Sequence, residues 1–217
     1  MRLNTGLRLA LLATFCFASM FVSASTLVFT LGSATPSFTD GQIVGAATFN
    51  AAVAGNAAPF NGFIGSDVMG PNFSASWAYI YGAISNISAA TLTIGIVDHD
   101  SAATGNQVAS FTLGGVDLTS LLNTAFESHG GAISEYDIYT ITLPGTTFAA
   151  LAAGTPGLSL ALQGPGLGVL GNTTFNGAGL DFSTLTITTG PVSTVPEPAS
   201  LTLLASGLVG VLLRRKR

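Results

Sequence analysis

Phe73-Ser-Ala-Ser-Trp77-Ala-Tyr79-Ile-Tyr81 places Phe73, Ala75, Trp77, Tyr79 and Tyr81 on one side of an extended chain. A sustained period of two marks a β-strand, because a helical turn would scatter those five side chains around its axis. Ala78, Ile80 and Gly82 on the alternate side are also apolar, so this strand is expected to be buried on both faces. The rings have two readings. They are either sheet core, or Trp77, Tyr79 and Tyr81 form a flat platform that stacks against pyranose rings and binds carbohydrate.

Outward from this stretch the same pattern recurs. Thr26 to Leu31 alternates Leu27, Phe29 and Leu31, and turns follow at Pro36 and Asp40-Gly41. Gln42 to Val53 reads as a further strand, ended by a soft loop through Gly55-Asn56, Pro59 and Asn61-Gly62. Leu92, Ile94 and Ile96 alternate with Thr91, Thr93 and Gly95, and Val108 to Leu113 ends at Gly114-Gly115. Asp117 is placed to cap a helix running to about Phe126, with Leu118, Leu121, Leu122, Ala125 and Phe126 as its apolar stripe. Glu135 to Leu143 is a strand closed by Pro144-Gly145, and Thr147 to Ala153 suits two helical turns. Leu158, Leu160 and Leu162, then Leu185 and Ile187, complete the strand pattern.

Many short strands separated by turn residues predict a mainly β protein, an antiparallel β-sandwich with one or two short helices. Jelly-roll topology is the first expectation and a closed barrel the alternative. The helical stretches are too few for a parallel α/β sheet.

Charge narrows the function. The six basic residues are Arg2, Arg8, Arg214, Arg215, Lys216 and Arg217, so no Lys or Arg lies between Leu9 and Leu213. Within that interior the passenger at 25–190 carries Asp40, Asp67, Asp98, Asp100, Asp117, Glu127, Glu135, Asp137 and Asp181, and the formal charge of −4 belongs only to the whole chain. Nucleic acids and anionic lipid surfaces bind through clustered Lys and Arg, so neither is an expected partner. The carboxylates are left to face water, accept backbone hydrogen bonds or bind cations.

Asp98-His99-Asp100, followed by Ser101, Thr104 and Asn106, sets alternating oxygen ligands directly after a strand. Asp98 and Asp100 are thus candidate calcium ligands, although the spacing is not that of an EF-hand; the other reading is a solvated acidic turn. The two histidines, His99 and His129, and the lone Cys16 cannot supply a Cys/His structural zinc set. A Ser-His-Asp triad through either histidine lacks a G-x-S-x-G elbow. Glu127, Glu135 and Asp137 could include a glycosidase pair, or simply be surface groups. Gly166-Leu-Gly168-Val-Leu-Gly171 spells G-x-G-x-x-G, but Asn172-Thr-Thr-Phe-Asn-Gly177 after it reads as turns and not as the helix a dinucleotide site needs. No catalytic residue is assigned.

The ends carry the clearest signals. Arg2 and Arg8 precede an apolar run from Leu9 to Val22 and a small-residue site at Val22-Ser-Ala24, the form of a signal peptide cleaved by signal peptidase. Phe15 before Cys16 does not suit a lipobox, so the cysteine is expected to leave with the signal. At the other end Pro196-Glu197-Pro198 precedes the uncharged stretch Ala199–Leu213 and the cluster Arg214-Arg215-Lys216-Arg217. As a helix that stretch would rise roughly 22 Å, short of a comfortable span, so it suits transient anchoring in the inner membrane with the basic tail cytoplasmic.

This tripartite ending resembles the PEP-CTERM sorting signal of Gram-negative bacteria. The resemblance implies recognition and cleavage by an exosortase, export to the cell envelope, outer surface or extracellular matrix, and an association with exopolysaccharide and biofilm. The passenger resembles no characterised catalytic family. The expected organisation is therefore a signal peptide at 1–24, a sandwich at 25–190, a linker at 191–194 and the sorting signal at 195–217. The expected function is a structural or adhesive surface protein, not an enzyme. The alternative is a secreted glycan-active enzyme or carbohydrate-binding module.

Overall fold

The computed structural model describes residues 24–100, 105–129, 132–164 and 175–191. The strands are β1 (Ser25–Gly32), β2 (Gln42–Ile43), β3 (Phe63–Ile64), β4 (Ser74–Ala78), β5 (Ile87–Val97), β6 (Val108–Leu113), β7 (Val116–Asp117), β8 (Glu135–Thr142), β9 (Gly157–Leu162) and β10 (Ala178–Thr189). Three short helices accompany them: α1 (Ala46–Val53), α2 (Thr119–His129) and α3 (Phe148–Ala152). The six-stranded sheet runs β1-β10-β5-β8-β2, with β3 also on β10, and the four-stranded sheet runs β4-β9-β6-β7. All the pairings are antiparallel. Without the two-residue β2 and β3, the strands in chain order lie first-eighth-third-sixth in one sheet and second-seventh-fourth-fifth in the other. That interleaving is a jelly roll. Residues Ser25–Thr189 form one compact unit.

The apolar alternation explains the core. Leu92, Ile94 and Ile96 of β5, Ile141 of β8 and Leu185 and Ile187 of β10 face Ala75 and Trp77 of β4, Phe111 and Leu113 of β6, and Leu158, Leu160 and Leu162 of β9. Ser183 of β10 bridges the two sheets inside this core. The Trp77 indole N–H donates to its Oγ at 3.2 Å, and the Tyr79 hydroxyl lies at 2.7 Å.

A second core lies on the other face of the six-stranded sheet, where Val44, Phe49 and Val53 cover Val97, Tyr136 and Phe182. It exists because β10 changes phase. Ile96 pairs with Leu180 but Gly95 pairs with Phe182, so a bulge at Asp181 turns Phe182 outward while Leu180 and Ser183 stay in the main core. Asp181 is buried beside the bulge and accepts from the Tyr136 hydroxyl, the Ser37 amide and the Ser37 hydroxyl, each at 2.8 Å.

Several sequence expectations are corrected. Gln42 to Val53 is a strand only at Gln42–Ile43 and a helix from Ala46, where alanines favour helix and Phe49 and Val53, one turn apart, both bury. The strand from Phe73 is buried on one face only: it ends at Ala78, and Ile80 is 85% exposed. Among the described residues the helices number three, where one or two were expected. Helix α2 begins after Leu118, whose carbonyl accepts from Leu122, so Asp117 lies one residue outside the cap and binds the Thr119 amide and hydroxyl. The helix runs on to His129, beyond Phe126. The signal peptide, the G-x-G-x-x-G run at 166–171, Ser101, Thr104 and the sorting segment lie outside the described residues. Among the described residues no helix is long and apolar enough to cross a membrane.

Candidate functional site

Polar groups gather where α2 ends against β8. Asn123 docks α2 on β6, accepting from the Val108 amide and donating to its carbonyl. This seats Phe126 and His129 against Tyr139, with ring centroids 4.6 and 5.3 Å apart. Asp137 and Tyr139 share one face of β8, and Asp137 is wholly buried.

His99 enters from the end of β5. Asp98 and Asp100 on either side have φ of +56° and +59°, a left-handed conformation that Asp tolerates better than most residues, and the chain between them turns the imidazole inward. His99 is fully buried, with Nε2 2.8 Å from the Tyr139 hydroxyl and 3.6 Å from Asp137 Oδ2. Tyr139 donates to Asp137 Oδ2 at 3.3 Å, so the Nε2–H tautomer of His99 completes a directed chain to the carboxylate. Burial, and the nearby His129, hold the His99 pKa down at about 3, which keeps the ring neutral. Its Nδ1 has no hydrogen-bond partner among the described residues.

His129 and Asp40 complete the group. His129 Nδ1 lies 3.3 Å from Asp137 Oδ1, and His129 Nε2 lies 3.5 Å from Asp40 Oδ2. Asp40 stands in the turn before β2 and its Oδ1 accepts from the Ile138 amide at 2.8 Å. Asp40, His129 and Asp137 each bring one ligand atom within 4.8 Å of the others; among the described residues this is the set of three that converges so. Burial and the neighbouring Glu135 charge raise the Asp137 pKa, against the lowering influence of His129.

The residues singled out from sequence are placed differently. Trp77 and Tyr79 are buried, and Tyr81 stacks on Phe29 at 4.3 Å while its hydroxyl donates to the Leu151 carbonyl. The sugar-stacking platform is therefore not formed, because the fold spends those rings on the core. Asp98 accepts from the Ser134 amide. Burial together with the Asp67 and Asp98 charges pushes Asp100 up to about 7. Among the described residues neither histidine bonds a serine hydroxyl, so no Ser-His-Asp triad is assembled there.

Glu127 accepts from the Gly105 amide and the Gln107 side chain, and the Glu135 carboxylate accepts from the Ala132 amide. A surface hollow along α2, lined by Asn106, Asp117, Ser120, Asn123 and Glu127, contains neither Glu135 nor Asp137. The convergence of Asp40, His129 and Asp137 had no signal in the sequence beyond the scarcity of histidine, since no motif spacing links the three.

Residues 194–217 match the family model of the PEP-CTERM protein-sorting motif. The comparisons with curated proteins and with solved structures found no match to the chain. The motif is the C-terminal exosortase signal, which makes this an exosortase-targeted, exported protein of the cell envelope or extracellular space.

Proposed function

We propose that the passenger domain is a non-catalytic structural or adhesive component of the cell surface or extracellular matrix, associated with exopolysaccharide and biofilm. The sorting motif at 194–217 is the observation that carries this reading. Removal of the N-terminal signal by signal peptidase and of the C-terminal segment by exosortase would release the domain from transient inner-membrane anchoring. The electrostatics support a passive role: the nine carboxylates of the passenger domain have no Lys or Arg within it, and Glu127 and Glu135 are engaged by backbone amides.

Intact-mass analysis of the protein from its native host tests the processing, with a mature chain beginning near Ser25 and ending near the Pro196-Glu197-Pro198 triplet as the expected result. A dominant species ending at Arg217 would refute it. The same material should be retained on immobilised host exopolysaccharide without hydrolysing it. Turnover abolished by Glu127→Gln or Glu135→Gln would instead establish the glycan-active enzyme.

A second reading concerns calcium. Asp67 lies close enough to Asp98 and Asp100 to raise both their carboxyl pKa values, so three carboxylates share one locality without a fixed cation. Calcium at Asp98 and Asp100 would relieve that repulsion. Melting temperature is expected to rise in millimolar calcium and to lose that response in Asp98→Ala; equal responses would leave only a solvated turn.

A further inference from the structure

We propose that Asp40, His129 and Asp137 bind a divalent first-row transition cation, of the zinc or manganese class, where the turn before β2, the end of α2 and the start of β8 meet. The three side chains come from separate elements, and each is held independently. Asp40 is fixed by the Ile138 amide, Asp137 by Tyr139, and His129 by its packing against the Tyr139 ring.

The separations are longer than a simple ion-pair relay would give. A protonated His129 bridging two carboxylates would make charge-assisted hydrogen bonds of about 2.7–2.9 Å. The observed separations are longer, 3.3 Å from Nδ1 to Asp137 and 3.5 Å from Nε2 to Asp40. One cation takes one imidazole nitrogen: His129 Nδ1 and Asp137 Oδ1, 3.3 Å apart, stand at the roughly 3.3–3.5 Å spacing that metal bonds of about 2.0–2.2 Å set in a tetrahedral arrangement, and Asp40 brings an oxygen within 4.8 Å of the other ligand atoms. Asp137 Oδ1 is the second sign. It belongs to a wholly buried residue, points at His129, and has no hydrogen-bond partner among the described residues. A buried carboxylate oxygen left so is costly unless a cation or donor meets it.

Charge and access agree. With His129 neutral, the group carries two negative charges, and no Lys or Arg exists between Leu9 and Leu213 to offset them. Asp40 is 45% and His129 36% exposed, which opens a route from solvent, while Asp137 anchors the inner side. Tyr139 and neutral His99 behind Asp137 Oδ2 are the kind of outer groups that orient a ligating carboxylate. One imidazole with two carboxylates suits zinc or manganese better than calcium, which takes oxygen ligands. Three protein ligands leave a coordination position for water.

The test uses the purified full chain with Cys16→Ser throughout, so that no thiol competes, stripped with chelator and titrated with zinc chloride, manganese chloride or cobalt chloride. Zinc or manganese is expected to bind at one site and raise the melting temperature, and cobalt to give visible d–d absorption. Both responses should disappear in His129→Gln and in Asp40→Asn, two partly exposed positions where the fold should survive. Asp137→Asn should behave alike if it folds. No shift with either metal in the unsubstituted site, or shifts undiminished in His129→Gln and Asp40→Asn, would overturn the proposal. A calcium response lost in His129→Gln would overturn the choice of cation class.

Discussion

Asp100 shows how one side chain can carry a pH dependence for the domain. Its folded pKa of about 7 stands above the ordinary aspartate value of 3.8, with burial the largest cause and the Asp67 and Asp98 charges next. The folded state therefore holds this proton more tightly than the unfolded chain does. The stability it contributes is fully present below about pH 4 and is lost as pH rises through 7. Asp100→Asn removes the titration. The variant's melting temperature should exceed that of the unaltered protein by a few degrees at pH 8, and the gap should close towards pH 4. A gap independent of pH, measured by calorimetry across that window, would remove the assignment. The residue types Asp98-His99-Asp100 were legible as an acidic loop, but the inward turn of His99 was not. It depends on two left-handed residues and on the Tyr139 hydroxyl contributed by another strand.

At the scale of elements, local pattern and tertiary demand mostly agree. Leu92, Ile94 and Ile96 read as one face and are one face. Gly95 between them is explained only by its neighbours: a Cβ there would meet the Tyr136 hydroxyl at 2.3 Å and the Phe182 ring at 2.5 Å. The glycine leaves room for Tyr136 to reach Asp181 and for Phe182 to fill the second core. Gly95→Ala should therefore cost about 1–3 kcal/mol, as overpacking does. Gly157→Ala in β9, where nothing lies within 4 Å, should be close to neutral. Urea unfolding of the two variants decides, and equal midpoints would count against the packing argument. The stretch 46–53 was misread for the complementary reason: Ala-Ala-Thr-Phe-Asn-Ala-Ala-Val has apolar residues at either period, and only the sheet face awaiting Phe49 and Val53 selects the helical one.

Across the whole molecule the two sheets meet through apolar packing with one polar bridge at its centre. Ser183→Ala would leave the Trp77 N–H and the Tyr79 hydroxyl without their Ser183 partner in a buried core. Such losses cost about 1–3 kcal/mol, and a domain of this size loses about 2–4 °C per kcal/mol. The variant should melt correspondingly lower, while Thr184→Ala beside it, facing the exposed Thr30, should change little. Similar melting temperatures for the two would show that the bridge contributes nothing.

The sequence by itself determined the strand faces of β1, β5, β9 and the end of β10, the apolar stripe of α2, the interior without fixed cations and the sorting signal. Each of these is local: a side chain's face follows from the period of its own strand or helix, and charge and terminal signals need no fold to be read. Tertiary structure alone decided the order of strands within each sheet, the bulge at Asp181, the second core and the meeting of Asp40, His129 and Asp137. Period two says that a strand has a partner without saying which, and closing a longer loop costs little more than closing a shorter one. Distant strands such as β1 and β10 can therefore pair as readily as neighbours, and which carboxylates meet which imidazole follows from that choice.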